Sequence, residues 1–356
     1  MTPGITISRV ARLTARACWG AATAASLCWA VAACAPAPPA AHAVAVLTPD
    51  VRYRNPAVVD QDDMCIWVDE QDSSRSTLIA SDKSADRLFV YDLDGQLLQT
   101  LDLDKPGNID TRPGFRLAGK TVSIVAVNSR LTRLLAVYAV DPASRLLTRV
   151  DDGGIPTGAE ENYGSCLYRS PATGAFFAFV THKSGEIVEI ALVDHDGKVS
   201  GRRVKDFGGR SITEGIVADD ALGVVYNAEE QAGIWAWGAE PGDMTAPALI
   251  ARVGEHGLTA DVEGLALYLG PSGQGYLLAS SQGSSTMLAY GRTPPHTFVG
   301  AFAVDGSAET DGIDVWAGPL GERYPHGAFF AHNGAHAPYG IDGLRWERVA
   351  SALKLR

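Results

Sequence analysis

The sequence predicts an all-β protein, a six-bladed β-propeller. Six times along the chain a unit recurs: an acidic or tyrosyl residue, an apolar strand, a turn, and a second strand with a polar end. With Asp63, Asp110, Tyr163, Glu214, Glu263 and Asp311 as markers, successive spacings are 47, 53, 51, 49 and 48 residues. A strand-built period of about 50 residues is that of a propeller with one blade per unit. Few stretches have helical period, and 38 glycines suit many tight turns.

Residues 1–44 read as an export segment and tether. Arg9, Arg12 and Arg16 precede an uncharged stretch of small and apolar residues, Ala17 to Ala33, the order expected of a secretory signal. Val31-Ala32-Ala33-Cys34 resembles a lipobox that would place a lipid on Cys34, and Ala41-His42-Ala43 offers ordinary cleavage. Both remain open, as does an uncleaved anchor, so the expected location is periplasmic, outer-membrane lipoprotein or secreted. The Ala- and Pro-rich run from Ala33 to Ala45 reads as a flexible tether.

Residues 45–356 then form one propeller domain. Its second strands are apolar runs such as Leu78-Ile79-Ala80-Ser81-Asp82-Lys83, Phe177-Ala178-Phe179-Val180-Thr181-His182-Lys183 and Val224-Val225-Tyr226-Asn227-Ala228-Glu229-Glu230. Asp94-Gly95 and Asp196-Gly197 read as hairpin turns. Trp67, Trp235 and Trp316 are expected between blades, and His182 and His332 at the rim. Trp346 to Leu355 is the one helix candidate. Cys65 and Cys166 read as buried free thiols in different blades, with a disulfide as the alternative.

The net charge of −11 disfavours nucleic-acid binding, which calls for a basic face. Antiparallel pairing puts the start of a first strand beside the end of the second. Asp62 and Asp63 are therefore expected beside Lys83, Tyr163 beside Lys183, and Glu214 beside Glu230. That arrangement places many carboxylates at one end of the axis, where they need a cation. Asp62, Asp63, Asp110, Glu214, Glu229, Glu230, Asp261, Glu263, Asp305, Asp311 and Asp314 are the candidate ligands, all oxygen donors as Ca²⁺ prefers. Lys83, Arg130 and Lys183 would orient phosphate oxygens. No Cys-x5-Arg loop, Arg-His-Gly motif or Gly-x4-Gly-Lys phosphate loop is present, so attack by water activated between metal ions is the expected route.

These motifs resemble the β-propeller phytases, the alkaline, calcium-dependent phytase family. Asp62-Asp63-Met64-Cys65-Ile66-Trp67, Asn108-Ile109-Asp110-Thr111-Arg112, Thr213-Glu214-Gly215, Ala228-Glu229-Glu230, Asp261-Val262-Glu263-Gly264-Leu265, Asp311-Gly312-Ile313-Asp314-Val315 and Trp346-Glu347-Arg348 carry the resemblance, in order over residues 55–350. It implies several bound Ca²⁺ ions and hydrolysis of phosphate monoesters of myo-inositol hexakisphosphate, taken as its calcium complex. It implies an acidic catalytic set of Asp62, Glu214, Glu230, Glu263, Asp305 and Asp311. It also implies phosphate-binding positions Lys83, Arg130, Tyr163 and Lys183. Ser84 stands where the family has a second lysine, Met64 where it has proline, and Asn333 where Asp is common. Asn128-Ser129-Arg130 is one residue longer than the family's Asn-Arg, which leaves room for Arg130 to be displaced by a residue, and the stretch Asp305 to Thr310 is shorter than the family's acidic loop; together these departures predict one or two calcium sites weakened or lost and a somewhat lower phosphate affinity. The other readings are a propeller that binds calcium and a phosphorylated ligand without turnover, and a hydrolase of lactones or diesters. A closed propeller has no free sheet edge to pair, so a monomer is expected, with no stable protein partner.

Overall fold

The structure is a computed structural model and describes residues 44–158 and 160–355. The export signal, Cys34 and Ala41-His42-Ala43 lie outside the described residues. Six separate antiparallel sheets follow one another along the chain. Blade 1 comprises Gln61–Trp67, Thr77–Asp82, Arg87–Asp92 and Leu97–Asp102. Blade 2 comprises Pro106–Leu117, Lys120–Ser129, Leu134–Asp141 and Leu146–Arg149, with Ile155–Pro156 added on the third strand. Blade 3 runs from Asn162–Arg169 to Lys198–Gly208, and blade 4 from Thr213–Asp219 to Ala248–Arg252. Blade 5 runs from Val262–Leu269 to Phe298–Val304, on which Ala45–Leu47 adds a parallel strand. Blade 6 takes Ile313–Trp316, Ala328–His332 and Ile341–Arg345 from the C-terminal part and Val51–Tyr53 from the N-terminal part.

The first strands of successive blades touch in a closed circle, the sixth meeting the first. Each pair of adjacent blades encloses its own apolar layer. Blades 1 and 2 share Ile79, Val90, Val125 and Val127. Blades 2 and 3 share Ile124, Leu135, Leu167 and Val188. Strands buried on both faces explain why the sequence reads as continuous apolar runs rather than alternation.

At the start of the first strand of blades 1 to 5 the register slips, between Gln61 and Met64, Pro106 and Ile109, Asn162 and Ser165, Thr213 and Ile216, and Val262 and Leu265. Such bulges bend a strand and re-aim its side chains. The bulged pairs are Asp62-Asp63, Gly107-Asn108, Tyr163-Gly164, Glu214-Gly215 and Glu263-Gly264. Adjacent bulges are then stitched together: the Gly264 N–H donates to the Asp311 carbonyl at 2.8 Å and the Gly312 N–H to the Asp62 carbonyl at 3.0 Å. The glycine after the marker is required by this close approach. A Cβ on Gly164 would lie 1.8 Å from the Glu214 carbonyl oxygen, and one on Gly215 would lie 2.0 Å from that of Glu263.

The turns at Gly95 and Gly197 have φ of 88° and 79°, as their Asp-Gly sequences require. The helix spans Trp346–Ala352, shorter than expected because Leu353 and Lys354 turn away, the latter with φ of 56°. Cys65 and Cys166 are buried free thiols. Trp67 packs between blades 1 and 2, but Trp316 is 38% exposed at the far end of its strand. His182 and His332 are buried, and His332 lies at the mouth end of its strand, where its Nδ1 accepts the Asp311 N–H.

Candidate active site

The bulges set the true frame of the repeat. In that frame Asp62, Gly107, Tyr163, Glu214 and Glu263 are equivalent, and Asp311 precedes Gly312 in the same way in blade 6. The marker of blade 2 is therefore Gly107, and Asp110 lies three residues further along the strand. A Cβ at Gly107 would sit 2.8 Å from Arg130 Nε and 2.4 Å from Asn128 Oδ1. The missing side chain is what admits Arg130. The longer Asn128-Ser129-Arg130 segment does not displace it: Arg130 Nη2 reaches Asp62 at 2.8 Å and Glu214 at 2.6 Å. Its guanidinium also lies 4.9 Å from the centre of the Tyr163 ring.

The expected neighbours meet. Lys83 Nζ lies 3.0 Å from Asp62 and 2.6 Å from Asp311, with Asp60 at 3.7 Å. Lys183 Nζ is 5.4 Å from the centre of the Tyr163 ring and pairs with Glu161 at 3.2 Å. Glu214 and Glu230 join Glu263 in one buried cluster, with an oxygen of each within 4.8 Å of the others. The Tyr163 hydroxyl faces both Glu214 and Glu230 and favours their charged forms. Asp311 accepts from Gln282 Nε2 at 2.6 Å, and its N–H donates to His332 Nδ1 at 3.2 Å. Gln282 is not among the expected site residues, and His332 is expected at the rim but not as a partner of Asp311. The polar end of a second strand was the available signal for both.

Other candidate residues are elsewhere. Asp63 lines the channel below the mouth and accepts the Ile109 N–H at 3.2 Å. Asp110 accepts the Leu167 N–H and Asp314 the Ile66 N–H, both at 2.9 Å. Each of these caps the strand of a neighbouring blade. Glu229 is turned away from its sequence neighbour Glu230 and accepts from Trp235 Nε1 at 2.7 Å and from Ser211. Asp261 accepts from Gln231 and lies near Glu230 and Glu263. Asp305 is exposed at the end of the Phe298–Val304 strand, where its carbonyl accepts from Arg52 at 3.2 Å. No contact among the described residues ties Asp305 to the mouth.

Electrostatics separates two halves of the mouth. On one side burial pushes the Asp62 carboxyl up, but Arg130 and Lys83 outweigh it and hold the group below its usual range. On the other, burial pushes Glu214 up to about 8 despite Arg130, with Asp62 and Asp311 adding to it. Burial also raises Glu263 well above the usual range, helped by Glu214 and Glu230, and one of its oxygens is buried without a partner. Burial raises Glu230 too. Three converging carboxylates that resist ionisation, one with an orphaned oxygen, fit a hard divalent cation, because its charge removes their repulsion.

A family model described as Phytase matches residues 18–354. The chain belongs to the Phytase family. Among phytases, a 3-phytase of Bacillus subtilis (strain 168) is 40% identical over 310 residues, covering 82% of this chain and 81% of that protein. Two solved structures share the phytase's fold at a TM-score of 0.50. One is a calcium-binding protein, regucalcin, from Agrobacterium tumefaciens str. C58, 11% identical, covering 82% of this chain and 89% of its own. The other is Kuenenia stuttgartiensis hydrazine synthase, 12% identical, covering 80% and 83%.

Proposed function

We propose that the protein hydrolyses phosphate monoesters of phytate, releasing inorganic phosphate, with Ca²⁺ as its metal. Membership of the Phytase family and the likeness to a 3-phytase support the reaction. The observation that carries the metal is the Glu214–Glu230–Glu263 cluster with its unpartnered Glu263 oxygen. Those three residues would hold the ion, with Asp62, Asp261 and Asp311 beside them. When bound, calcium supplies positive charge that polarises the phosphoryl oxygens and acidifies water at the site.

The chain's own residues prepare the rest. Arg130, fixed by Asp62 and Glu214, and Lys83, fixed by Asp62 and Asp311, present positive charge at set positions and lose little freedom when a phosphate arrives. Tyr163 keeps its proton, because burial and then Glu214, Glu263 and Glu230 raise its pKa. Its single O–H is therefore retained to donate to one or the other of the Glu214 and Glu230 carboxylates beside it. Lys183 stands beside Tyr163 as a more exposed cation for a phosphate at the rim.

The run from Arg9 through Ala33 supports export of the enzyme, with or without a lipid on Cys34. The deciding experiment measures phosphate release from phytate by the purified protein with added Ca²⁺ and then with EDTA. Release that requires calcium is expected. A folded protein that releases none in either condition would instead be a phospholigand-binding module.

A further inference from the structure

We propose that His332 is a positioning residue that releases Lys83 to the substrate: its Nε2–H takes over the Asp60 carboxylate when a phosphate draws the Lys83 ammonium away. The proposal rests on the phosphatase reading above, which uses Lys83 but neither Asp60 nor His332. His332 ends the second strand of blade 6, Ala328–His332, and is buried. Its Nδ1 accepts the Asp311 N–H at 3.2 Å. That nitrogen therefore carries no proton, and the proton of the ring lies on Nε2. Nε2 is buried without a hydrogen-bond partner. A buried donor left orphaned inside a polar cluster calls for a reason. What it faces is the Asp60 carboxylate, 3.8 Å away.

Lys83 supplies the reason. An ammonium has three N–H groups, and three carboxylates surround this one: Asp311 at 2.6 Å, Asp62 at 3.0 Å and Asp60 at 3.7 Å. The first two lie within hydrogen-bond distance and the third does not. The N–H on the Asp60 side is thus the one that Lys83 gives up to a phosphate oxygen at least cost. Asp60 then keeps its charge, loses its cation and stands against an incoming anion. Its backbone is fixed: the Asp60 N–H donates to the buried Asp82 carboxylate at 3.0 Å, and its carbonyl accepts the Lys83 N–H at 3.1 Å. Among the described residues the Ser84 hydroxyl, at 3.3 Å, is the one side chain that donates a hydrogen bond to its carboxylate. A small rotation of the Asp60 side chain toward Nε2 closes a charge-assisted hydrogen bond and leaves the Asp311 contact of His332 intact. Because that bond forms when the phosphate is bound and not before, it favours the bound state.

Asn and Gln separate the two ring nitrogens, since an Asn amide overlays Nδ1 and a Gln amide reaches the place of Nε2. H332N keeps an acceptor for the Asp311 N–H and loses the donor to Asp60. The probe is myo-inositol hexasulfate, a polyanion that is not a phosphate ester, titrated calorimetrically into the full protein in calcium buffer. H332N is expected to raise its Kd about tenfold, the scale of one hydrogen bond to a charged group. KM for phytate rises alongside, and kcat changes less than twofold. H332Q restores the donor and brings Kd back to within about threefold of wild type. In a D60N background no charge remains to be taken over, so adding H332N shifts Kd less than twofold. Wild-type Kd in H332N overturns the proposal, as does absence of binding by the wild type. A loss in H332Q equal to that in H332N, as packing alone would give, also overturns it, and so does a full tenfold effect beside D60N. If the wild type releases no phosphate from phytate yet the cycle with D60N holds for hexasulfate, the hydrolase reading fails and the role of His332 stands. If phytate turns over normally and H332N has wild-type KM, the role of His332 fails alone.

Discussion

Gly107 carries as much of the site as any acid, by being absent as a side chain. Replacing it with Ala places a methyl 2.8 Å from Arg130 Nε. G107A is expected to push Arg130 off Asp62 and Glu214 and to cost at least about tenfold in kcat/KM for phytate, the scale of one lost phosphate contact; activity within twofold of wild type would remove Arg130 placement from the mechanism. Glu230 makes a complementary prediction. E230Q keeps the volume and removes a charge from the Glu214–Glu263 cluster, so turnover is expected to fall at least about a hundredfold while Tm holds or rises. Phosphate release and a thermal melt on the same preparation decide it. These residues also mark how far the sequence is legible. Tyr163, Glu214, Glu263 and Asp311 stand out because acidic or tyrosyl residues at one period are conspicuous, whereas in blade 1 the period picks Asp63 and the mouth uses its neighbour Asp62. Gly107 does not stand out, because a search for carboxylates passes over a glycine and settles on Asp110. Glu229 and Glu230 look alike in sequence, and only the structure shows that Trp235 and Ser211 claim the first.

At the scale of the strand, the bulge is the device that matters. It turns a residue that ordinary pleating would bury between blades toward the axis, and the glycine that follows lets the next blade close in. Four of the six units show this as a marker followed by glycine: Tyr163-Gly164, Glu214-Gly215, Glu263-Gly264 and Asp311-Gly312. The pattern is visible in the sequence, but its cause is not, because it depends on a carbonyl belonging to a strand about 50 residues away. The expected consequence is severe intolerance. G215A must move the Glu263 carbonyl, now 2.0 Å from the added carbon, and should destabilise by more than about 2 kcal/mol. A melt within 1 °C of wild type, on the order of half a kcal/mol for a domain of this size, would show that the bulges yield easily. The first and second strands of each blade and the Asp-Gly hairpins are legible, since apolar runs and turns are local signals, but the N-terminal strands that join blades 5 and 6 are not. The helix end was not, because it depends on the left-handed Lys354.

Over the whole molecule, stability should follow both calcium and pH. Ions that bind only the folded ring stabilise it by mass action, so EDTA is expected to lower Tm; an unchanged melt would separate catalytic from structural binding. A second dependence comes from Glu189, buried in blade 3 with neither oxygen partnered. Burial raises its pKa from 4.5 to about 7 although Lys205 opposes the rise. Between those two values the unfolded chain has released the proton and the folded chain still holds it. Stability is therefore lost as pH rises from about 4.5 to about 7, on the order of 1–3 kcal/mol. E189Q should melt higher than wild type at pH 8 and equally at pH 4; parallel melts at both values would exclude the carboxyl as the cause.

Blade 6 joins Val51–Tyr53 to Ile341–Arg345, with Val51 opposite Gly343. During synthesis the first of these strands is made five blades before its partner. Until then blade 6 has an open edge, and the circle of blades has a gap through which the apolar faces of blades 6 and 1 meet water. Closing a loop of that length costs only slightly more entropy than closing one half as long, but it cannot begin until the final strand exists. A nascent chain that stops short of Ile341 is thus expected to be an open, adhesive arc rather than a smaller ring, and the strand Ile341–Arg345 is the one that seals it.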